Sequence, residues 1–172
     1  MIEEVSVSSL PSILGDLADT LHACVHHGAS VGFVLPFSEQ DAAVFWEKRI
    51  FAMVTDGTAT LFVARHEGRV VGTVQLVPAP MPNQPHRADV SKLLVHPGFR
   101  RLGLGRALMT ALQDKARDLG LSLLVLDTRS GDPSQALYQS LGFQVAGEIP
   151  DFCRNPFDDR LEPTTYMYKH LQ

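Results

Sequence analysis

HPGFRRLGLGRALM, residues 96–109, joins a strand-like run to an amphipathic helix pattern and decides the architecture of the second half of the chain. Three arginines and three glycines fall within nine positions of this junction. The first turn of a helix has unpaired N–H groups and a partial positive charge. Gly103 and Gly105 let a ligand approach the backbone, and Arg100, Arg101 and Arg106 add full charges. The junction predicts an anion site, most naturally for a diphosphate, with a glycine turn and solvated arginines as the alternative.

Two common phosphate-binding motifs do not fit this junction. The P-loop pattern GxxxxGK[ST] is absent. The dinucleotide pattern GxGxxG fails because its third glycine position holds Leu108. Arg100, Gly103 and Gly105 instead satisfy the pattern [QR]xxGx[GA].

The composition is typical of a globular protein. The 172 residues predict one domain, 1–172, and the net charge of −4 argues against general nucleic-acid binding, which needs a broad basic surface. Cys24 and Cys153 have no zinc-ligand spacing, so no metal site is indicated. The first ten residues are acidic, and no apolar run approaches the roughly 18 residues of a membrane span. We therefore expect a cytoplasmic protein with no membrane partner; the oligomeric state stays open, a homodimer included.

Apolar periodicity predicts a mixed order of helices and strands. Residues 3–8 can form a first strand, and Ser38 can cap the second of two helices. The further elements are a helix over 10–27, a helix over 38–55, a hairpin over 58–65 and 69–77, a strand over 88–95, a helix over 103–119, a strand over 121–128, a short helix from about 132 to 142, and strands over 143–149 and 163–171. This order predicts a mixed α/β (α+β) domain around one sheet, with a β-α-β-α-β unit in its second half.

The [QR]xxGx[GA] turn resembles the pyrophosphate-binding turn of the GNAT family of acetyl-CoA-dependent N-acetyltransferases. ALYQSLGF (136–143) is similar to the second signature of the family, and KLLV (92–95) to the strand that carries the pantetheine arm. The resemblance covers nearly the whole chain and implies the GNAT fold, a single mixed, mostly antiparallel sheet. It implies acetyl-CoA as cosubstrate, bound by Leu93, Leu94, Val95, Arg100, Arg101, Leu102, Gly103, Leu104, Gly105 and Arg106.

A closer likeness is to the tabtoxin-resistance type of this family, a small-molecule acetyltransferase. It rests on HHGASVGF (26–33), HRADVSKLLVHP (86–97), LLVLDT (123–128), GEIPDFC (147–153) and RLEPTTYMYKHL (160–171). The likeness implies an amino-acid-like or β-lactam-type amine as acceptor. It also implies that the loop 26–33 closes over the acceptor cleft.

Two positions depart from the family pattern. Arg101 stands where the family usually has Gly, so the backbone there must bind phosphate without the freedom of glycine. Gly131 stands where the family commonly has an Asn that holds the pantetheine amides. Asp132 or Ser134 is expected to replace it, and we take Ser134 as a cofactor-binding residue.

The resemblance implies direct attack of the amine on the thioester in a ternary complex. A backbone N–H of Leu93 or Leu94 would polarise the carbonyl. Tyr138 is the candidate acid, because the reference pKa of tyrosine, about 10, lies close to that of a thiol, about 8.5. Packing of the short helix against the sheet is the alternative role of Tyr138.

The general base is left open between two carboxylates. Strand alternation places Asp89 on one face with Ser91, Leu93 and Val95. Asp127 ends a buried strand, and strand ends border the crevice in open α/β sheets. An ordinary carboxylate is a weak base for an ammonium group, so either would act through water or bind the cation. We expect the two to lie near each other and to select a cationic acceptor over an anionic one.

Other residues offer weaker candidates. His26, His27 and His86 are possible bases, although solvated polar surface is the commoner role of such residues. We interpret Cys153 as an ordinary buried cysteine, and Phe45 and Trp46 as core.

Three functions follow from these residues. The first is N-acetylation of a small-molecule amine, which the combination of Tyr138, Asp89 and Asp127 favours. The alternatives are a protein N-acetyltransferase and a catalytically silent acetyl-CoA sensor.

Overall fold

The computed structural model describes all residues from 1 to 172 and contains one seven-stranded sheet in the order β1-β2-β3-β4-β5-β7-β6. The strands are β1 (Ile2–Glu4), β2 (Thr60–His66), β3 (Arg69–Pro78), β4 (Arg87–Val95), β5 (Leu123–Arg129), β6 (Gln144–Arg154) and β7 (Leu161–His170). Only β4 and β5 pair in parallel. The predicted fold class, a mixed and mostly antiparallel sheet, is confirmed.

The helices lie on both faces of this sheet. They are α1 (Leu10–His26), α2 (Glu39–Phe45), a π-helix (Trp46–Phe51), α3 (Ala52–Thr55), α4 (Leu104–Asp118) and α5 (Pro133–Ser140), with short 3₁₀ turns at Val7–Ser9 and Pro97–Phe99. The predicted β-α-β-α-β unit is therefore β4-α4-β5-α5-β6. None of the helices combines the length and the apolar character needed to cross a bilayer.

Two apolar clusters hold the helices to the sheet. One joins α1, α2 and the π-helix to the strands and contains Trp46, which is fully buried and donates from its indole N–H to the carbonyl of Leu17 at 2.9 Å. The other joins α4 and α5 to the opposite face and contains Leu108, Leu124 and Tyr138. The sheet is thus a middle layer with a separate core on each face.

Two predicted elements need correction. The first strand ends at Glu4, not at residue 8, because a turn closes where Ser9 N–H donates to the carbonyl of Ser6. The predicted helix over 38–55 begins as expected at Ser38, whose hydroxyl accepts from the N–H of Asp41 in a capping box. It is not one regular helix, however, because a π-helical segment occupies residues 46–51.

The functional region is positioned by a gap between β4 and β5. The two strands pair over residues 87–89 and 123–125 alone, although β4 continues to Val95 and β5 to Arg129. An irregularity in the pairing of β3 with β4 coincides with the positive φ of Lys92, +52°. The strands therefore separate beside the α4 turn and leave an opening in the sheet.

Candidate active site

The turn before α4 presents unpaired donors. The N–H groups of residues 101–106 donate no hydrogen bond within the protein. Gly103, the N-cap of α4, has a φ of +76°, and Arg101 has a φ of +68°. A run of free N–H groups in such a turn is the arrangement that binds a diphosphate. The residues present thus fit the diphosphate of acetyl-CoA.

The arginines of this turn are free of carboxylates. Arg100 donates from Nε to the carbonyl of Val95 at 3.4 Å, and Arg106 donates to the hydroxyl of Ser140 at 2.8 Å. Arg101 adopts the left-handed conformation despite its side chain, which costs about 1–2 kcal/mol. Three unpaired guanidinium groups at one helix end give the turn a strong positive field.

The end of β4 borders the gap. Leu94 is buried in the α1-side core, whereas Leu93 and Val95 pack against the α4-side core. The prediction that Leu93 and Val95 share a face with Asp89 is wrong, because the irregularity at Lys92 reverses the alternation of β4.

Leu94 pairs with Thr73, and the N–H of His96 donates to Val71. The N–H of Leu94 is therefore used in the β3–β4 ladder, and that of Leu93 is directed toward the gap. Of the two predicted groups, the N–H of Leu93 therefore remains our candidate for polarising the thioester carbonyl.

Tyr138 lies in α5 with 7% of its surface exposed and packs against Phe143, with ring centroids 5.8 Å apart. Its hydroxyl makes no hydrogen bond within the protein, whereas that of Tyr168 donates to Gln144 at 2.9 Å. Burial, and to a smaller extent the charge of Asp127, raises the pKa of Tyr138. The hydroxyl therefore stays protonated and free to donate.

The negative charge of Asp127 affects the pKa values of several residues around the gap. Its Oδ2 accepts from the hydroxyl of Thr164 at 2.8 Å. Burial raises the pKa of Tyr166 and of Cys153, and the charge of Asp127 adds to both shifts. The same charge opposes the fall in the pKa of Lys92. Asp127 is therefore close enough to act electrostatically on residues from three strands, β4, β6 and β7, and on α5.

Asp89 lies on the same face of the sheet as Asp127. It pairs with Val125 in the parallel ladder, and Asp127 follows two residues later on that face. Both carboxylates act on Tyr166, where burial raises the pKa and each of their charges raises it further. Asp89, however, accepts from Nη1 of Arg87 at 2.7 Å, so its charge is balanced within the protein.

The expected substitutes for the missing Asn are both engaged. The hydroxyl of Ser134 lies 2.8 Å from that of Thr128. Asp132 accepts from Nε of Arg129 at 3.0 Å. Ser134, at the start of α5, thus remains a proposed pantetheine contact that would share its hydroxyl with Thr128.

The loop 26–33 contacts residues of β4 and β6 beside the gap. Nζ of Lys92 donates to the carbonyl of Val31 at 3.1 Å. The hydroxyl of Ser30 interacts with Cys153 in β6. Cys153 is half-buried, which corrects its interpretation as a fully buried residue.

A pocket of about 220 Å³ lies between the π-helix and strands β3 and β4. Its apolar wall is formed by Phe45, Ile50, Met53 and Val77. Its polar wall is formed by Arg49, Gln75, Asp89, Ser91 and Lys92. Phe45 is therefore not simply core, and the three candidate histidines do not line this pocket.

Three residues of this wall were missed by sequence reasoning. Arg49 reaches the pocket through the π-helix, and Gln75 through its place in β3. Neither position carries a local signal. Lys92 offered one, because it is a charged residue directly before the apolar run LLV at the end of β4.

Residues 24–143 match the sequence model of the acetyltransferase (GNAT) family. The chain belongs to this family. Among its relatives, an uncharacterized N-acetyltransferase of Azospirillum brasilense is 32% identical over 118 residues, 67% of this chain and 68% of that one. The L-amino acid N-acyltransferase MnaT of Escherichia coli is 37% identical over 82 residues, 40% of this chain and 48% of that one.

A solved structure of similar fold is the phosphinothricin acetyltransferase of Sinorhizobium meliloti in complex with acetyl-CoA. It superposes with a TM-score of 0.79 at 22% identity and covers 99% of this chain and 88% of that one. Together with the family match, this confirms the GNAT fold and the expectation of an acetyl-CoA-dependent N-acetyltransferase.

Proposed function

We propose that this GNAT enzyme acetylates the amine of a small molecule by direct attack in a ternary complex. The observation that carries the proposal is the gap between β4 and β5, which has the free anion turn and Tyr138 on one side and a small pocket on the other. A pocket of about 220 Å³ suits a metabolite better than a peptide segment.

The chain offers a donor for each stage of this reaction. The turn 101–106 would hold the diphosphate of acetyl-CoA, which supplies an activated acetyl group. The backbone N–H of Leu93 would stabilise negative charge on the thioester oxygen as the amine nitrogen bonds to the acetyl carbon. The hydroxyl of Tyr138 would donate to the sulfur when the carbon–sulfur bond breaks. Its raised pKa makes it a weaker acid than a free tyrosine, so the proton moves only as full thiolate charge develops.

Asp127 is the better placed of the two carboxylates for the acceptor amine. Its charge is not balanced by an arginine, whereas that of Asp89 is. Asp127 would attract the ammonium form and accept its proton through water, and Asp89 would shape the wall of the pocket.

The acceptor class is supported by relatives as well as by the pocket. The Escherichia coli relative is named for L-amino acids and the Sinorhizobium meliloti structure for phosphinothricin. With the tabtoxin-resistance resemblance, these names favour an amino-acid-like or β-lactam-type amine.

Release of the CoA thiol in the presence of a panel of small amines tests the proposal. We expect acetyl-CoA-dependent thiol release with at least one amine and a mass increase of one acetyl group on that amine. Acetyl-CoA binding without thiol release would favour the silent sensor. Acetylation of peptides in preference to free amines would favour a protein acetyltransferase.

A further inference from the structure

The acceptor pocket carries two positive charges that form no ion pair within the protein. Arg49 on the π-helix and Lys92 in β4 both line it. Neither takes part in any ion pair of the protein. Lys92 donates to the carbonyl of Val31, and its Nζ lies 5.6 Å from the centre of the Phe45 ring. Two cations on one pocket wall thus lack an anionic partner.

The two cations act on each other. Burial lowers the pKa of Lys92, and the charge of Arg49 lowers it further, against the opposing effect of Asp127. Like charges that share a partly desolvated site destabilise each other, and an anion between them removes this repulsion.

Two neutral donors lie in the same wall. Gln75 is 1% exposed, and its side-chain Nε2 is buried without an acceptor. Ser91 lines the pocket, and its hydroxyl has no hydrogen-bond partner in the protein. Buried polar groups are nearly always hydrogen-bonded in proteins, so an unpartnered donor beside two cations points to a missing acceptor.

We propose that Arg49 and Lys92, assisted by Gln75 and Ser91, form a carboxylate-binding subsite that selects acceptors carrying both an amine and a carboxylate. The subsite deepens the proposed acetyl transfer and rests on it. It also replaces the expectation of a purely cationic acceptor, because Asp127 and the Arg49–Lys92 pair supply opposite charges to one cleft.

The spacing of the groups limits the acceptor further. Lys92 directly precedes Leu93, whose N–H is the candidate for contacting the acetyl group. Successive strand residues rise by about 3.3 Å, so the carboxylate and the reacting amine are separated by few bonds. The pocket volume of about 220 Å³ lies below the roughly 300–1,000 Å³ of typical small-molecule sites. A small α- or β-amino carboxylate with an apolar side chain fits these limits.

Matched acceptor pairs test the subsite. Apolar L-α-amino acids, methionine among them, are each compared with their primary amides at saturating acetyl-CoA, and kcat/KM is measured by CoA thiol release. The amide has the less basic amine and so more of the reactive form, which biases the comparison against the proposal. We expect the free acid to be preferred at least about tenfold, the size of a lost charge-assisted hydrogen bond. Equal or better acetylation of the amides overturns the subsite.

Two variants and a control locate the effect. Arg49→Gln and Lys92→Met should bring the acid-to-amide ratio close to one without changing KM for acetyl-CoA. Lys48→Gln removes the same charge from the same π-helix at a residue that does not line the pocket, and should keep the ratio. An unchanged ratio in Arg49→Gln overturns the proposal.

Calorimetry separates the subsite from the proposed reaction. L-Methionine and its amide are titrated into protein saturated with CoA, and turnover plays no part in the signal. Acid binding that Arg49→Gln abolishes supports the subsite even if no acceptor is acetylated, and in that case the proposed reaction on these amines fails. Absence of acid binding overturns the subsite.

Discussion

The two sides of the gap hold their charges in different ways. On the cosubstrate side, a short turn presents free N–H groups and three unpaired arginines from residues 100–106 at the start of α4. On the acceptor side, Arg49, Asp89 and Lys92 line a small pocket together with neutral residues, and the lining comes from α2, the π-helix, α3, β3 and β4. The contiguous turn suits a constant ligand, because acetyl-CoA presents the same diphosphate whichever amine is acetylated. The pocket is assembled from distant elements, so substitutions in its lining can change the acceptor without altering the turn that binds acetyl-CoA.

The largest expected effect is that of Tyr138→Phe. The ring of Tyr138 is buried but its hydroxyl makes no hydrogen bond within the protein, so removal of the hydroxyl should barely change stability. We expect turnover to fall by about 10²–10⁴-fold, the usual contribution of acid catalysis. Thiol-release kinetics with chemistry rate-limiting measure the loss.

Acetyl-CoA affinity and a second tyrosine serve as controls for this variant. The thermal shift given by acetyl-CoA should stay unchanged in Tyr138→Phe. Tyr168→Phe, which removes a hydroxyl bonded to Gln144, should keep turnover near that of the parent. Full turnover in Tyr138→Phe would return Tyr138 to a packing role.

The next effect separates the cosubstrate side from the rest of α4. A ligand at one hundred times its Kd adds about 2.7 kcal/mol to the free energy of unfolding. Gly103→Val should remove this acetyl-CoA-dependent gain, because its Cβ would project into the open space in front of the turn. Melting temperatures with and without acetyl-CoA measure the gain.

Gly120→Val is a matched control at the other end of α4. Gly120 has a φ of +73° against +76° for Gly103, and at both an added Cβ meets nothing within 4 Å. The two substitutions should therefore cost similar intrinsic stability, while Gly120→Val keeps the stabilisation by acetyl-CoA. Equal loss in both variants would mean that strain, and not phosphate contact, explains Gly103→Val.

The same division explains what sequence could predict. Arg100, Gly103 and Gly105 lie within six positions, so the anion turn and its helix are visible as a local pattern. The order of helices and strands follows from apolar periodicity and matches the sheet observed. These features depend on neighbours in the chain.

The acceptor side depends on features without a local pattern. The π-helix shifts Arg49 to the pocket, and the irregularity at Lys92 reverses the face of Leu93 and Val95. The ion pair of Asp89 with Arg87 depends on rotamers and on the end of the β4–β5 pairing. Strand alternation alone therefore grouped Asp89 correctly with Ser91 but wrongly with Leu93 and Val95, and it gave no difference between the two carboxylates.

That difference gives the third prediction. Asp127→Asn should reduce kcat/KM for the acceptor by about tenfold or more, as expected for a lost charge-assisted contact. Asp89→Asn should have a smaller effect, because Arg87 already balances that charge. Steady-state kinetics of both variants with the same amine measure the ratio.

The double variant sharpens this comparison. Effects of the two substitutions should be less than additive if both carboxylates act on one ammonium group. Acetyl-CoA binding should be unchanged in all three proteins. A larger effect from Asp89→Asn than from Asp127→Asn would reverse the roles proposed for them.

The smallest expected effect concerns the helix that carries the acceptor wall. Ser38 and Asp41 form a capping box at the start of α2, and Ser38→Ala should lower the free energy of unfolding by about 1 kcal/mol at neutral pH. Hydrogen bonds from the N–H and hydroxyl of Ser38 hold the pKa of Asp41 below its usual value. A carboxylate with a lowered pKa in the folded state stabilises the protein above its unfolded pKa, about 3.9, and loses this contribution as pH falls through the lower value. The stability difference between the parent and Ser38→Ala, measured by urea unfolding, should therefore shrink below about pH 4.

Because α2 leads into the π-helix with Arg49, KM for the acceptor should rise in this variant while the acetyl-CoA thermal shift stays constant. A change in acetyl-CoA binding instead would show that the two sides of the gap are mechanically coupled.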